Sequence, residues 1–385
     1  MEHALRNKLK FISLSFSVFV LLGILGSARA QSDSWKREWE KTVEAAKKEG
    51  QVSIYIGGWG AVLDAGVFQR AYPEIKVIGV TGRGGEIAKR ILTERRAERY
   101  LADVSSEGVG SNYRILHTAK SFDPIRPALI LPEVVDESKW WQGKHRYVDP
   151  EGQYVFRYVG VPQLGNISYS TNLVDPKQFK SMWDFLDPKW KGKILSRDIR
   201  DPGPGNAPMR FFYYHPEIGP NFISRLFGEM DITLFRDFRQ GVDWLAGGKF
   251  SLCFFCSDID KAKLQGLPVD EFGVIKEGAG LHTQYGTLAL VNKAPHPNAA
   301  RVFINWFLSR EGQLTLQRTI AKSGEGAPDS LRIDIPKDDL KPEHRRVEGV
   351  RYLDLDSRPE WIDMKPILKV FEDALAEAGK RRQKR

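Results

Sequence analysis

Between Gln51 and Val104 the chain alternates two hydrophobic patterns, and this alternation restricts its fold more than any other feature. Val52-Ser53-Ile54-Tyr55-Ile56 reads as a strand running into Gly57-Gly58-Trp59-Gly60. A helical stretch over 62–71 stops before Tyr72-Pro73, and Ile75 to Val80 is a second strand closed by Gly82-Arg83-Gly84-Gly85. Glu86 to Tyr100 is helical again, and Ala102-Asp103-Val104 is a short buried strand. Strand–helix–strand–helix–strand is the pattern of a parallel sheet with crossover helices. Ahead of it, Trp35, Trp39, Val43 and Ala46 recur every three or four residues, which predicts an opening helix over 34–49 stopped by Gly50.

A second α/β set follows a Pro- and Trp-rich stretch. Tyr154–Val161 and Ile167–Ser170 read as strands flanking Pro162–Asn166, and Lys193–Ser196 as another. The Gly/Pro loop Asp201–Asn206 precedes a helix over Ala207–Tyr214, with further helices near 219–229 and 237–247. Phe250–Phe255, Gly273–Ile275 and Gly286–Val291 are the remaining expected strands. The apolar stripe of Ala299, Val302, Phe303, Trp306 and Phe307 predicts one long helix over 298–319. A helix near 359–379 closes the chain. At 385 residues, two or three domains are expected.

The net charge of +9 would suggest a nucleic-acid partner if it were spread over the fold. It is not. Arg6, Lys8, Lys10 and Arg29 face one acid, Glu2, within residues 1–30, and Lys380 to Arg385 adds five basic residues and no acid. The body between them is close to neutral, so no nucleic-acid partner is expected. Residues 1–30 combine a basic start, an apolar run from Phe11 to Leu25 and the small-residue site Ala28-Arg29-Ala30. That is the build of a cleaved secretory signal, with cleavage after Ala30. The apolar run is shorter than the ~20 residues a membrane-spanning helix needs. The mature protein is therefore expected in a bacterial periplasm, as a monomer.

Three stretches together resemble the periplasmic solute-binding proteins of ABC importers, in the branch similar to ferric-ion-binding proteins. They are Gly82-Arg83-Gly84-Gly85-Glu86-Ile87 with the following Ala102-Asp103-Val104, the run Trp183 to Lys193, and Ala294-Pro295-His296-Pro297-Asn298-Ala299-Ala300 continuing to Gln313. They span about residues 50–330 in the family's order. The resemblance implies an α/β, two-lobed, type II-like binding protein with a ligand cleft between lobes joined by crossing hinge strands. The implied division is 1–30 signal peptide, 31–161 first lobe, and 162–281 second lobe with hinge. Residues 282–379 return to the first lobe with the C-terminal helices, and 380–385 form a basic tail.

Ligands of α/β sheets gather at the carboxyl ends of strands, which selects the loops Gly57–Gly60, Gly82–Gly85, Arg197–Asn206 and Phe255–Asp258. Arg83 sits between glycines at a helix start, where unpaired N–H groups favour an anion. Gly84 and Gly85 permit close backbone approach, and Arg83 can fork two hydrogen bonds to a carboxylate or phosphate. Gly205 and Asn206 repeat the device in the other lobe, with Arg197, Arg200 and Arg210 near in sequence; each arginine serves equally well as a surface charge. Trp59 and Tyr285 could stack on a ligand or cap the core. Glu86 and Asp258 could meet a ligand ammonium or serve a helix dipole. Asn166 stands on a crossing segment, Phe255 closes the expected strand Phe250–Phe255, and Ser257 follows it.

Ferric-ion binders of the resembled family present adjacent tyrosines after a second-lobe strand. Here that stretch reads Leu252-Cys253-Phe254-Phe255-Cys256-Ser257, and the loop Gly57–Gly60 lacks histidine. Tyr213-Tyr214 is an adjacent pair inside an expected helix. No metal or other cofactor is expected. Cys253 and Cys256 are expected as buried structural thiols in preference to a disulfide. The reading is thus a non-enzymatic importer component that captures a small, anionic organic solute by hinge closure and delivers it to a membrane permease driven by an ATPase. The alternatives are a ferric-iron carrier, a periplasmic enzyme and a sensory subunit.

Overall fold

Each α/β set closes its own sheet, and a smaller third sheet joins the two. The computed structural model describes residues 34–82, 84–163, 166–201, 205–322, 327–340 and 344–383. The export segment 1–30 lies outside them, and so does Arg83. Among the described residues no helix is long and apolar enough to cross a membrane.

In the first sheet, strand Gln51–Gly57 lies between the parallel strands Lys76–Gly82 and Val104–Glu107. It is buried on both faces, which is why it reads as an almost continuous apolar run. Val52, Ile54 and Ile56 face a core built with helices 34–49 and Pro297–Leu308. Tyr55 faces the opposite layer, with Ile87, Ala88 and Ile91 of the crossover helix Gly84–Arg96. Strand Thr287–Val291 enters antiparallel beside Val104–Glu107, with Thr287 opposite Glu107.

Two of the motifs that carry the resemblance meet in one buried contact. The Asp103 carboxylate accepts from the Ser53 and His296 amides at 2.7 and 2.8 Å, and His296 Nδ1 lies 2.9 Å from it. Glu49 accepts from the Asn298 and Ala299 amides, closing the N-terminus of helix Pro297–Leu308. These residues fasten the lobe together.

The second sheet runs Thr233–Phe235, Ile194–Arg197, Leu252–Phe254, Ile167–Ser170, Val269–Glu271 in spatial order. Its core is aromatic, with Phe179, Phe185, Trp190 and Phe272 in mutual contact below the turn Met182–Leu186. The third sheet is the hinge. Val161–Gln163 leaves the first lobe antiparallel to Ala279–His282, which returns to it, and Tyr352–Asp354 pairs with Ala279–His282 as a third strand.

Three expectations are corrected. The single helix over 298–319 is two, Pro297–Leu308 and Arg310–Lys322, because the Ser309 hydroxyl accepts the Gly312 amide and caps the second. Gly273–Ile275 forms no strand; Ile275 makes only an isolated bridge to Gly278, and the strand lies at Ala279–His282. The C-terminal helix, Lys365–Gln383, does not return to the first lobe. Its Ile367, Phe371 and Ala374 join the second-lobe core against helix Gly219–Glu229. It also absorbs residues 380–383 of the expected tail as its last turn, where basic residues suit the negative end of the helix dipole.

Candidate functional site

The hinge joins the carboxyl edges of the two sheets directly. On one side Thr287, a few residues past the hinge strand Ala279–His282, is the register partner of Glu107 at the end of its strand. On the other, Asn166 follows the hinge strand Val161–Gln163, and its carbonyl accepts the Phe255 amide at 2.7 Å, just past Leu252–Phe254. The two edges therefore border one cleft, the arrangement expected when ligand loops sit at strand carboxyl ends. Beside the hinge strands a cavity of about 380 Å³ opens, lined among others by Val161, Pro162, Asn166, Phe272, His282 and Gln284; neither Glu107 nor the start of helix Asn206–Tyr214 is among its lining residues.

On the first-lobe edge the decisive residue is Glu107. It is fully buried, and neither carboxylate oxygen has a hydrogen-bond partner. Buried carboxylates normally find partners, and one left unpaired costs on the order of 1–3 kcal/mol or more. Loss of water pushes this carboxyl up to about 8. Its Oε2 sits against two glycines: a Cβ on Gly57 would collide with it, and one on Gly84 would lie 2.6 Å away. The same Gly84 Cβ would lie 2.8 Å from Ser111 Oγ, whereas Gly85 faces open space. Glycine is thus required where strand Gln51–Gly57 ends and helix Gly84–Arg96 begins, because both backbones approach the carboxyl closely. Sequence reasoning passed over Glu107. The available signal was an acid closing the buried strand Val104-Ser105-Ser106, at the carboxyl end where ligand loops begin.

The aromatic candidates divide. Trp59 is only 3% exposed and packs edge-on against Tyr158 and Tyr285, with ring centroids 6.4 and 5.7 Å apart; it belongs to the core and is withdrawn as a stacking platform. Tyr285 covers Gly58 so closely that a Cβ there would collide with its ring, yet 41% of it remains exposed. It stays at the cleft. Glu86 is exposed on the first turn of its helix.

On the second-lobe edge the arginines are engaged within the protein. Arg200 pairs with buried Asp198 through Nε and Nη2 at 2.8 and 2.6 Å, and Arg236 adds a bond to the same carboxylate. The bonds from Arg200 hold the Asp198 carboxyl below its ordinary range. Arg210 is spent on the hinge. It donates to the Leu355 and Trp361 carbonyls and to Asp356 Oδ1, while Asp356 Oδ2 accepts the Thr283 amide and hydroxyl. Arg200 and Arg210 are therefore corrected to internal partners. Arg197 donates to the Asp201 carbonyl at 3.0 Å and lies over the Phe238 ring.

The start of helix Asn206–Tyr214 is the candidate ligand position on this edge. Gly205 precedes it at φ 109°, a backbone that favours glycine, and no side chain caps the helix. Asn206 Oδ1 is buried without a partner. Phe255, fully buried between Phe212 and Phe254, is withdrawn as a ligand contact. Asp258 is exposed and pairs with Lys261 at 2.7 Å; Ser257 is half-buried beside it. Cys253 and Cys256 form a disulfide, which corrects the expectation of free thiols: the chain turns sharply enough after the strand to bring the two Cα atoms within 5.9 Å.

No family profile matches the chain, and no curated protein does. Solved structures do, and they show the fold. The chain superposes on the periplasmic binding protein AfuA of Actinobacillus pleuropneumoniae, solved with fructose 6-phosphate bound, at 18% identity and TM-score 0.54, covering 86% of this chain and 99% of that one. Apo FutA2 of Synechocystis matches at 16% identity and TM-score 0.58, over 84% and 98%. The ferric binding protein of Campylobacter jejuni matches at 14% identity and TM-score 0.57, over 84% and 99%. The chain has the two-lobed fold of the periplasmic binding proteins.

Proposed function

We propose that this protein is the exported, substrate-binding component of an ABC importer and holds a small anionic organic solute between its lobes. The observation that carries the reading is Glu107, a buried carboxyl without a partner at a cleft bordered by both sheets. A group so placed is completed by a ligand that donates hydrogen bonds to it, through hydroxyls or an ammonium. The start of helix Asn206–Tyr214 across the cleft suits the solute's negative group, because no side chain caps it and its dipole end is positive. Hydroxyls at one end and an anion at the other describe a sugar phosphate or a hydroxy acid. The fructose 6-phosphate bound by AfuA, a protein of the same fold, supports that class.

Capture works by population shift. The solute touches both edges only when the lobes close, so binding favours the closed form that a membrane permease receives, and no covalent step is needed. A ferric carrier, the nearest competitor, finds less support: Phe254 and Phe255 are fully buried rings, and Tyr214 stacks on Trp361 at 4.7 Å, outside the cleft edges. The test is a thermal-shift panel of sugar phosphates, hydroxy acids and iron(III). A binder at a hundredfold excess over its Kd adds about 2.7 kcal/mol of stability. A shift with a sugar phosphate or hydroxy acid supports the reading. A coloured complex with iron(III), with no shift from the organic anions, overturns it.

A further inference from the structure

The Cys253–Cys256 disulfide stands under the second-lobe half of the cleft, and what it holds there goes beyond fastening a core. Cys253 lies within strand Leu252–Phe254 and Cys256 two residues past its end. The bridge encloses Phe255, whose φ is 65°. A bulky aromatic residue rarely adopts that backbone unless the surroundings enforce it. Two contacts depend on the conformation. The Phe255 amide donates to the Asn166 carbonyl at 2.7 Å, where the chain enters the second lobe from the hinge. The Phe255 ring is the seat of Gly205: a Cβ there would lie 3.2 Å from the ring's Cγ. Gly205 in turn accepts the Met209 amide in the first turn of helix Asn206–Tyr214.

We propose that the disulfide is a positioning clamp for the second-lobe ligand edge, so that solute affinity depends on its redox state. The inference rests on the cleft reading given above. With the bridge closed, Phe255 is held in its left-handed backbone and fixes both the hinge exit and the helix start. A dithiol reductant opens it in a balanced exchange: the reductant's two thiols become its own disulfide, and Cys253 and Cys256 each take up a proton and become thiols. Phe255 can then relax to a negative φ, which withdraws its amide from Asn166 and its ring from Gly205. Both sulfur-bearing residues are buried, so the exchange needs local opening.

The experiment compares the oxidised protein, the protein reduced with dithiothreitol, the reduced protein reoxidised with oxidised glutathione, and the variant Cys253→Ala/Cys256→Ala. Two quantities are read: amide hydrogen exchange, and affinity for fructose 6-phosphate by calorimetry. Opening the bridge is expected to speed exchange at Phe255 and Met209 about tenfold and to weaken sugar-phosphate binding about tenfold, the change that relief of one strained backbone allows. Strand Gln51–Gly57 stays protected throughout, and reoxidation restores both quantities. Unchanged exchange at Phe255 and Met209 overturns the proposal, and so does faster exchange with undiminished affinity. If fructose 6-phosphate binds none of the four forms, that sugar phosphate is excluded as the solute, and exchange at the two amides alone decides the clamp.

Discussion

At the carboxyl edge of the first sheet Glu107 is buried with both oxygens unpaired, whereas at the matching edge of the second sheet Asp198 is buried and takes bonds from both Arg200 and Arg236. Both edges thus carry a buried acid beside a ligand loop, but only one is answered from within. The difference shows how to read such a cleft. The sequence offered Arg83 in the first lobe and Arg197, Arg200 and Arg210 in the second, yet those second-lobe arginines serve Asp198, Asp356 and backbone carbonyls. The group left waiting is an acid in the first lobe. On the proposed reading a ligand is recognised there by its donors, with its anionic end at the helix start across the cleft.

The largest test of this asymmetry is pH. Burial pushes the Glu107 carboxyl up to about 8 in the folded chain, from an ordinary value of 4.5 when unfolded. Between those values the folded chain keeps a proton that the unfolded chain has released. Stability should therefore fall as pH rises from 5 to 8, by roughly 1.4 kcal/mol per unit from this group. Chemical denaturation at several pH values checks it: the slope should be present in the unliganded protein and flattened in Glu107→Gln. An equal slope in both would remove Glu107 from the account.

Replacing the acid with an apolar side chain of similar size should separate stability from function. Glu107→Leu is expected to gain about 1–3 kcal/mol in the unliganded state, since it removes an unpaired buried polar group, while losing the ligand-induced thermal shift. Loss of both would mean the carboxyl is satisfied by the protein itself. On the opposite edge, Gly205→Ala forces a side chain into φ 109° against Ile199 and Phe255. It should cost about 1–2 kcal/mol and weaken solute binding, read by melting and calorimetry together. The smallest effect belongs to Arg200→Ala. Its side chain is 43% exposed and Arg236 also serves Asp198, so a loss below about 1 kcal/mol with unchanged affinity is expected. A large loss of affinity would return Arg200 to the ligand.

Much of the fold was legible because its signals are local. The alternation over 51–104 forecast the parallel sheet, and the crossing segments expected around Pro162–Asn166 and His282–Gly286 overlap the ends of the antiparallel hinge strands Val161–Gln163 and Ala279–His282. What could not be read were pairings between distant residues. The destination of helix Lys365–Gln383 depends on its fit with helix Gly219–Glu229, and its own amphipathic pattern is the same whichever lobe receives it. The disulfide depends on a turn that puts Phe255 at positive φ, a conformation no aromatic residue announces. Of the residues expected at the site, Gly84, Gly205 and Asn206 stand where strands end and helices begin, but Trp59, Arg200, Arg210 and Phe255 are used inside. Glu107 escaped notice because burial without a partner is visible only in three dimensions.

Native mass spectrometry of protein exported to a periplasm, beside Glu107→Ala prepared in the same way, bears most directly on the cleft. The account predicts that the parent protein carries one small organic anion, released chemically unchanged on denaturation, and that the variant carries none. The same adduct on both proteins, or release of an altered molecule, would contradict it.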